Sequence, residues 1–214
     1  MENDVTGARA TLHLAVFSTK SFKLQVIDQP EPNSVDFAET MKRERCLAGA
    51  NGGYFTPEFA PIGLRIRQGR TTSRLVRAGL LTGILASGPR GVEIIRPPDF
   101  LRGRKTDAAI QCGPNLVDGS RAIRGLNNTK AARRTFAATI SGGKAALGYC
   151  SSVTLAELAE VLSTTPLIEG AKVQRALNLD GGSSSAFWFK REDGSALSIR
   201  EHKPVRDFIG VVPR

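Results

Sequence analysis

The sequence predicts an α+β fold: a single strand-rich domain over residues 1–214, with a mixed or antiparallel sheet and two main helices. Three observations predict it. Short runs that alternate apolar and polar residues recur along the whole chain, which is the period of a half-buried strand. Only two segments carry the 3.6-residue spacing of an amphipathic helix. No repeat, low-complexity stretch or linker divides the 214 residues, a length that fits one large domain.

The elements follow in order. "ATLHLAVFS" and "FKLQVID" alternate and read as the first two strands, around "TKS". "NSVDFAETMKRER" is predicted helical: Ser34 can cap it, and Phe37, Ala38 and Met41 share a face. "CLAGANGGYF" is a strand that runs into a glycine turn. "GLRIRQGR" reads as a strand plus turn, and "LLTGILASG" and "GVEIIRPP" as further strands. "DAAIQCGPNLVDG" carries a strand and a loop. "RRTFAATISGGKAALGYC" is a hairpin turning at Ser141, Gly142 and Gly143. The clearest helix starts at Thr154, where Thr154 and Glu157 have capping-box spacing. Leu155, Leu158, Ala159 and Leu162 form its stripe, and Pro166 lies just past its end. "RALNL" and "SSAFWFK" are strands around Asp180, Gly181 and Gly182. "REDGS" turns into "ALSIR", and "RDFIGVVP" is the last strand.

Composition narrows the function classes. No apolar run approaches the roughly 20 residues a membrane helix needs. The start, "MENDVTGARA", is polar and lacks a signal-peptide pattern. Cys46, Cys112 and Cys150 are too few for a disulfide framework and have no metal-ligand spacing. They read as free thiols, with one disulfide plus an odd thiol as the alternative. His13 and His202 are the only histidines, which argues against a histidine-built zinc site or a Ser-His-Asp triad. His13 lies in an alternating strand and reads as structural.

The net charge of +10 is uneven. Arg65 to Arg134 holds 15 Lys+Arg against 4 Asp+Glu. Such a basic middle is either a solvated surface or the footprint of an anionic partner. Phe100 and Phe136 are the only aromatics from Arg65 to Phe136, so a base-stacking platform for nucleic acid is not expected.

Three glycine-bearing loops then stand out: "ANGGYF", "QCGPNLVDG" and "NLDGGSSS". Each follows an apolar strand and sets a polar amide or acid beside glycine. Glycine lets a ligand approach the backbone closely, and small hydroxyls and backbone N–H groups suit phosphate or sugar oxygens. Any one of these loops is an ordinary turn when taken alone. Together with the basic middle they favour a site. None has P-loop or dinucleotide spacing.

"ANGGYF", "PIGLRIRQG", "RRTFAATISGG", "TLAELAEVL" and "ALNLDGGSSS" occur in the order and rough spacing of the phosphodiester glycosidase family. The resemblance runs from about Ala10 to Val212. "NLDGGSSS" is similar to the family's Asn-Leu-Asp-Gly-Gly-Gly-Ser motif, with Ser183 in place of the third glycine. "QCGPNLVDG" resembles its Gly-Pro-x-Leu segment, which places Gly113. "RRTF" resembles its Arg-Thr motif, which places Arg134 and Thr135. The resemblance implies hydrolysis of a sugar-1-phosphodiester, for example one of N-acetylglucosamine, at the bond between the anomeric carbon and the phosphate oxygen. A sugar phosphate is a fair leaving group. The reaction therefore needs charge stabilisation at phosphate and a carboxylate near the anomeric centre.

Asp180 is the candidate carboxylate; the alternative is that it only closes its turn. Arg134 is the candidate phosphate clamp, because guanidinium binds phosphate through two parallel bonds; Arg133 beside it can exchange roles with it. Asn51 and Asn178 are candidates to bind sugar hydroxyls or orient water. Gly52, Gly53, Gly181 and Gly182 would present N–H groups, and Ser183 and Ser184 would meet phosphate oxygen. Glu58 and Asp118 are candidates for a second carboxylate. Tyr54 and Phe55 read as core. No cofactor is expected, and a divalent metal is not readable.

Two other functions stay open. One is a non-catalytic module that binds an anionic glycan or cell-wall polymer. The other is a P–O-cleaving phosphodiesterase, which would need clustered acids. The resemblance implies a periplasmic or secreted protein; a chain that starts at Met1 reads as cytoplasmic.

Overall fold

The computed structural model describes residues 10–32, 35–100 and 103–214. The chain opens with β1 (Leu12–Ser18), β2 (Phe22–Asp28), α1 (Phe37–Arg43) and β3 (Ala48–Asn51). There follow β4 (Arg65–Arg67), β5 (Arg70–Ser73), β6 (Gly83–Gly88), β7 (Gly91–Ile95), β8 (Ala108–Cys112), β9 (Asn115–Asp118) and β10 (Arg121–Ala122). The last third holds β11 (Ala132–Ile140), β12 (Lys144–Val153), α2 (Leu155–Thr164), β13 (Val173–Asn178), β14 (Phe187–Lys190), β15 (Ala196–Ile199) and β16 (Asp207–Pro213).

The strands form three sheets. The first has the order β1-β12-β11-β13-β9-β10, the second β15-β14-β3-β16-β2, and the third β5-β4-β8-β6-β7. Every pairing between these strands is antiparallel, so of the two expected sheet types it is the antiparallel one that occurs. The fold is strand-rich with two α-helices, and strands predominate.

Neighbours in sequence are often not neighbours in a sheet. β1 pairs with β12, while β2 pairs with β16 in another sheet. β13 belongs to the first sheet and β14 to the second. The segment "DAAIQCGPNLVDG" holds two strands, not a strand and a loop. The Gly113–Pro114 peptide bond, which is cis, separates β8 from β9.

One core lies among the three sheets, and strand alternation builds it. Ala137 of β11 and Ala145, Leu147 and Tyr149 of β12 face that core, where Ala50, Ile110, Leu177, Phe187 and Ile209 meet them. The alternate residues Phe136, Ala138 and Ile140 point the other way, onto Leu158, Ala159 and Leu162 of α2. Thr154 caps α2 with the full capping box to Glu157. α1 covers the second sheet, with Phe37 and Met41 packed on Trp188 and Phe208. Asp36 caps α1 by accepting the Glu39 N–H at 3.1 Å. Ser34, the cap expected from sequence, lies outside the described residues. All three cysteines are buried free thiols. His13 stacks near Tyr149 and Phe187, at centroid distances of 6.2 and 6.3 Å. Among the described residues no helix is long and apolar enough to cross a membrane.

Candidate active site

The three glycine-bearing loops converge because each is a crossing between sheets. The loop after β3 leaves the second sheet for the third. Gly113–Pro114 joins the third to the first. Residues 179–186 carry the chain from the first to the second. Hydrogen bonds sew the crossings together. The Asp180 N–H donates to the Gly52 carbonyl at 3.1 Å, and the Asn51 amide donates to the Asp180 carbonyl at 2.6 Å. The Tyr54 hydroxyl and the Asn178 amide both donate to the Gly113 carbonyl, at 2.7 and 3.1 Å.

Asp180 is half-buried at this junction. Burial raises its carboxyl from 3.8 to about 6; hydrogen bonds from the Ser184 side chain and the Gly181 backbone oppose that rise, and the negative charge of Asp207 adds to it. A carboxylate poised there exchanges protons near neutral pH, which suits acid–base or nucleophilic work. Its backbone is clamped by Asn51, Gly52 and the Leu179–Thr135 bond of 2.9 Å, so the carboxyl is aimed by a rigid frame.

Arg134 and Arg133 have separate tasks. Arg134 lies across Gly181: a methyl group on that glycine would come within 3.4 Å of Arg134 Nη1. Its Nε donates to the Val153 carbonyl at 3.3 Å and its Nη2 to the Lys130 carbonyl at 2.9 Å. Among the described residues Nη1 has no protein acceptor, so one edge of the fork remains for a ligand. Arg133 is taken up by structure. Its Nη2 donates to the carbonyls of Ser185 and Arg200, its Nη1 meets His202 Nε2 at 2.5 Å, and its guanidinium lies 5.6 Å from the Tyr149 ring centroid.

Several residues expected to touch a ligand are instead the frame. Asn51 is fully buried; its Oδ1 accepts from the Ala186 N–H at 3.0 Å and from the Thr135 hydroxyl at 2.7 Å. Thr135 is likewise fully buried. The N–H groups of Gly52 and Gly53 do not face outward: they donate to the Asp207 carbonyl at 2.8 Å and to its carboxylate at 3.0 Å. Asn178 is 1% exposed, its amide nitrogen reaches Gly113 and Leu179, and among the described residues its Oδ1 has no partner. Gly113 contributes its carbonyl, and a side chain there would strike the Leu80 carbonyl at 2.0 Å. Gly181, Gly182 and Ser183 remain partly exposed around Asp180, with Ser184 buried behind them.

Two features escaped the sequence reading. Tyr54 packs half-buried against the central core, as expected, and also sets its hydroxyl between Gly113 and Asn178. Burial raises its pKa, and Cys112 and Asp180 add to the shift. Beneath the first loop lies a buried charge network. Asp207, 1% exposed, pairs with Arg65 at 3.0 Å, and Arg65 and Arg206 both bond Asp28. A methyl on Gly52 would come within 1.8 Å of Asp207 Oδ1, so glycine is required where the backbone rests on that carboxylate. The available signal was a charge inside a run read as a strand, Arg65 in "GLRIRQG" and Asp207 in "RDFIGVVP".

Among the described residues neither expected second carboxylate bonds to the residues of this junction. Glu58 is exposed, with a carboxyl lowered first by the Thr56 side chain. Asp118 is held by Arg96 at 2.5 Å and Arg175 at 3.0 Å. It pairs with Arg175 in register, five residues before Asp180, or roughly 15 Å along a strand. Phe55 packs into the core beside α1 and against Phe59. Among the described residues no group of three or more His, Cys, Asp or Glu side chains is placed to hold a metal ion.

Half-buried Asp180 and the Nη1 edge of Arg134 thus flank Gly181 where crossings between three antiparallel sheets meet. The chain belongs to the phosphodiester glycosidase family, whose model matches residues 44–212. Its fold is similar to the catalytic domain of zebrafish N-acetylglucosamine-1-phosphodiester α-N-acetylglucosaminidase, auto-inhibited by its pro-peptide. The TM-score is 0.67 at 16% identity, over 98% of this chain and 85% of that one. A hypothetical protein from Synechocystis matches with a TM-score of 0.64 at 16% identity, over 99% of this chain and 61% of that one. A putative exported protein from Burkholderia pseudomallei matches with a TM-score of 0.62 at 14% identity, over 94% and 74%. A search of curated proteins by sequence gives no match.

Proposed function

We propose that the chain hydrolyses a sugar-1-phosphodiester, such as one of N-acetylglucosamine, to a free sugar and a phosphomonoester. The observation that carries this reading is the placement of Arg134 Nη1 against Gly181, the residue that follows Asp180, whose carboxyl burial raises to about 6. Arg134 Nη1 meets the phosphate and stabilises the charge that grows on it as the bond breaks. Asp180, ionised, acts at the anomeric carbon, either taking a proton from water or attacking directly. In the net reaction the bond from the anomeric carbon to the phosphate oxygen breaks, water oxygen bonds to that carbon, and a proton goes to solvent or phosphate. Asp207 does not serve as a second reacting carboxylate, because it is buried and paired with Arg65. Tyr54 stays protonated and places a hydroxyl at the edge of the site.

Incubation of the methyl diester of N-acetylglucosamine-1-phosphate in 18O-water tests this. Label in the sugar is the expected result. Label in the phosphate means P–O cleavage and overturns the reading. No turnover, with tight binding of an anionic glycan that survives Asp180→Asn, means a binding module.

A further inference from the structure

The three sheets are not equally covered. α2 packs on the first and α1 on the second. Among the described residues no helix covers the third. Its outer cluster, which includes Leu64, Ile66, Ile84 and Ile95, is flanked by Phe100. Two grooves, of about 980 and 880 Å³, share Leu75, Arg77 and Phe100. The second has walls of Leu81, Ile123, Leu126 and prolines and ends at Pro114 and Asn115.

This apolar wall is held in place. Gln111, fully buried, accepts the Val76 N–H at 3.1 Å and donates to the Val76 and Leu81 carbonyls at 2.8 and 3.1 Å. Asn115 fixes the far end of the same loop through two bonds to Thr82, at 2.7 and 2.8 Å. Leu75 is 42% exposed on a loop pinned at both ends. Leaving apolar side chains in water on a fixed loop is unfavourable unless something covers them.

Charge says what covers them. Arg96 and Arg104 have carboxylate partners, Asp118 and Glu93. Among the described residues Arg74, Arg77 and Lys105 lie on the groove walls with no ion pair; one carboxylate, Asp107, also lines the first groove. The second groove ends at Pro114 and Asn115, beside the Gly113 carbonyl that Tyr54 and Asn178 share. The Pro114 carbonyl at its end accepts the Asn178 N–H at 3.0 Å, two residues before Asp180.

We infer that the groove is the aglycone subsite, and that the natural aglycone is an anionic amphiphile: a long apolar chain with a further negative group, the chain lying along Leu75 and Phe100 and the anion at Arg77. The inference rests on the hydrolase reading for its name, and the test separates the two. Dodecyl phosphate is titrated into the protein by calorimetry below its micelle concentration, for wild type, Leu75→Asp and Arg77→Glu. Kinetics are run on the methyl and decyl diesters of N-acetylglucosamine-1-phosphate, and thermal unfolding confirms that each variant is folded. Binding is expected to weaken roughly tenfold or more in each variant, since several buried methylenes or a charge pair are lost. The decyl-to-methyl ratio of kcat/KM is expected to exceed about ten in wild type and to fall towards one in Leu75→Asp. Dodecyl phosphate binding that survives both substitutions overturns the subsite, and so does a wild-type ratio of one. If neither diester is cut while dodecyl phosphate binding is lost in both variants, the hydrolase reading fails and the groove stands as a site for an anionic amphiphile.

Discussion

Replacing Asp180 with asparagine is expected to abolish turnover and to stabilise the fold at neutral pH. The carboxyl is raised from 3.8 to about 6, chiefly by burial. The folded state therefore binds this proton more tightly than the unfolded state does. The stability that Asp180 contributes is full below about pH 4 and is lost as pH rises through 6. A rise from 3.8 to about 6 corresponds to about 3 kcal/mol by pH 8. Asparagine has no charge to ionise there, so the variant escapes the loss. Its pH-independent differences, such as a changed bond to Ser184, are the same at every pH. The stability gap between variant and wild type should thus widen by about 3 kcal/mol between pH 4 and pH 8. For a chain of this length that is roughly 6–12 °C in Tm. Urea unfolding of both proteins at pH 4 and pH 8 measures the gap directly. A gap that is equal at the two pH values refutes the argument that burial resists ionisation of Asp180.

Other substitutions probe the surroundings. Asp207→Asn removes a negative neighbour, so the acid limb of the kcat/KM profile, set by ionisation of Asp180, should move to lower pH; an unmoved limb contradicts the coupling. The same variant leaves Arg65 short of one partner in a buried network and should lose about 3 kcal/mol of stability in denaturant titration. Arg134→Ala should lower kcat/KM on a diester by roughly 10- to 100-fold, the value of a charge-assisted bond, with Arg134→Lys recovering only part of it. Gly52→Ala should cost about 2–4 kcal/mol, because its methyl would meet Asp207 Oδ1 at 1.8 Å; a calorimetric Tm equal to wild type argues against that close approach.

The candidate site was legible where its signal is local. An acid, two glycines and serines after an apolar strand mark Asp180 within eight residues, and the capping box marks α2 within four. What depends on partners far along the chain was not legible. Arg65 and Asp207 are 142 residues apart, and each reads alone as one charge in a strand. Asn51 and Thr135 have the composition of ligand-binding residues, yet the fold turns both inward to hold the Asp180 carbonyl. β9 was hidden because Gly113 and Pro114 break the apolar run before it. Sheet membership was hidden for a related reason. Alternation shows that β13 and β14 are strands and says nothing about which strands they join.

Because every sheet-to-sheet crossing at the site contributes to it, no fragment of the chain contains it whole. Asn51 comes from the second sheet, Gly113 follows the third, and Arg134 and Asn178 come from the first. Partial unfolding that detaches any one sheet must dismantle the site before the rest of the core melts. A ligand bound there would tie the three sheets into one cooperative unit and raise the free energy of every opening that separates them. Hydrogen exchange should then slow on saturation across β3, β8 and β13 alike, including amides far from the ligand.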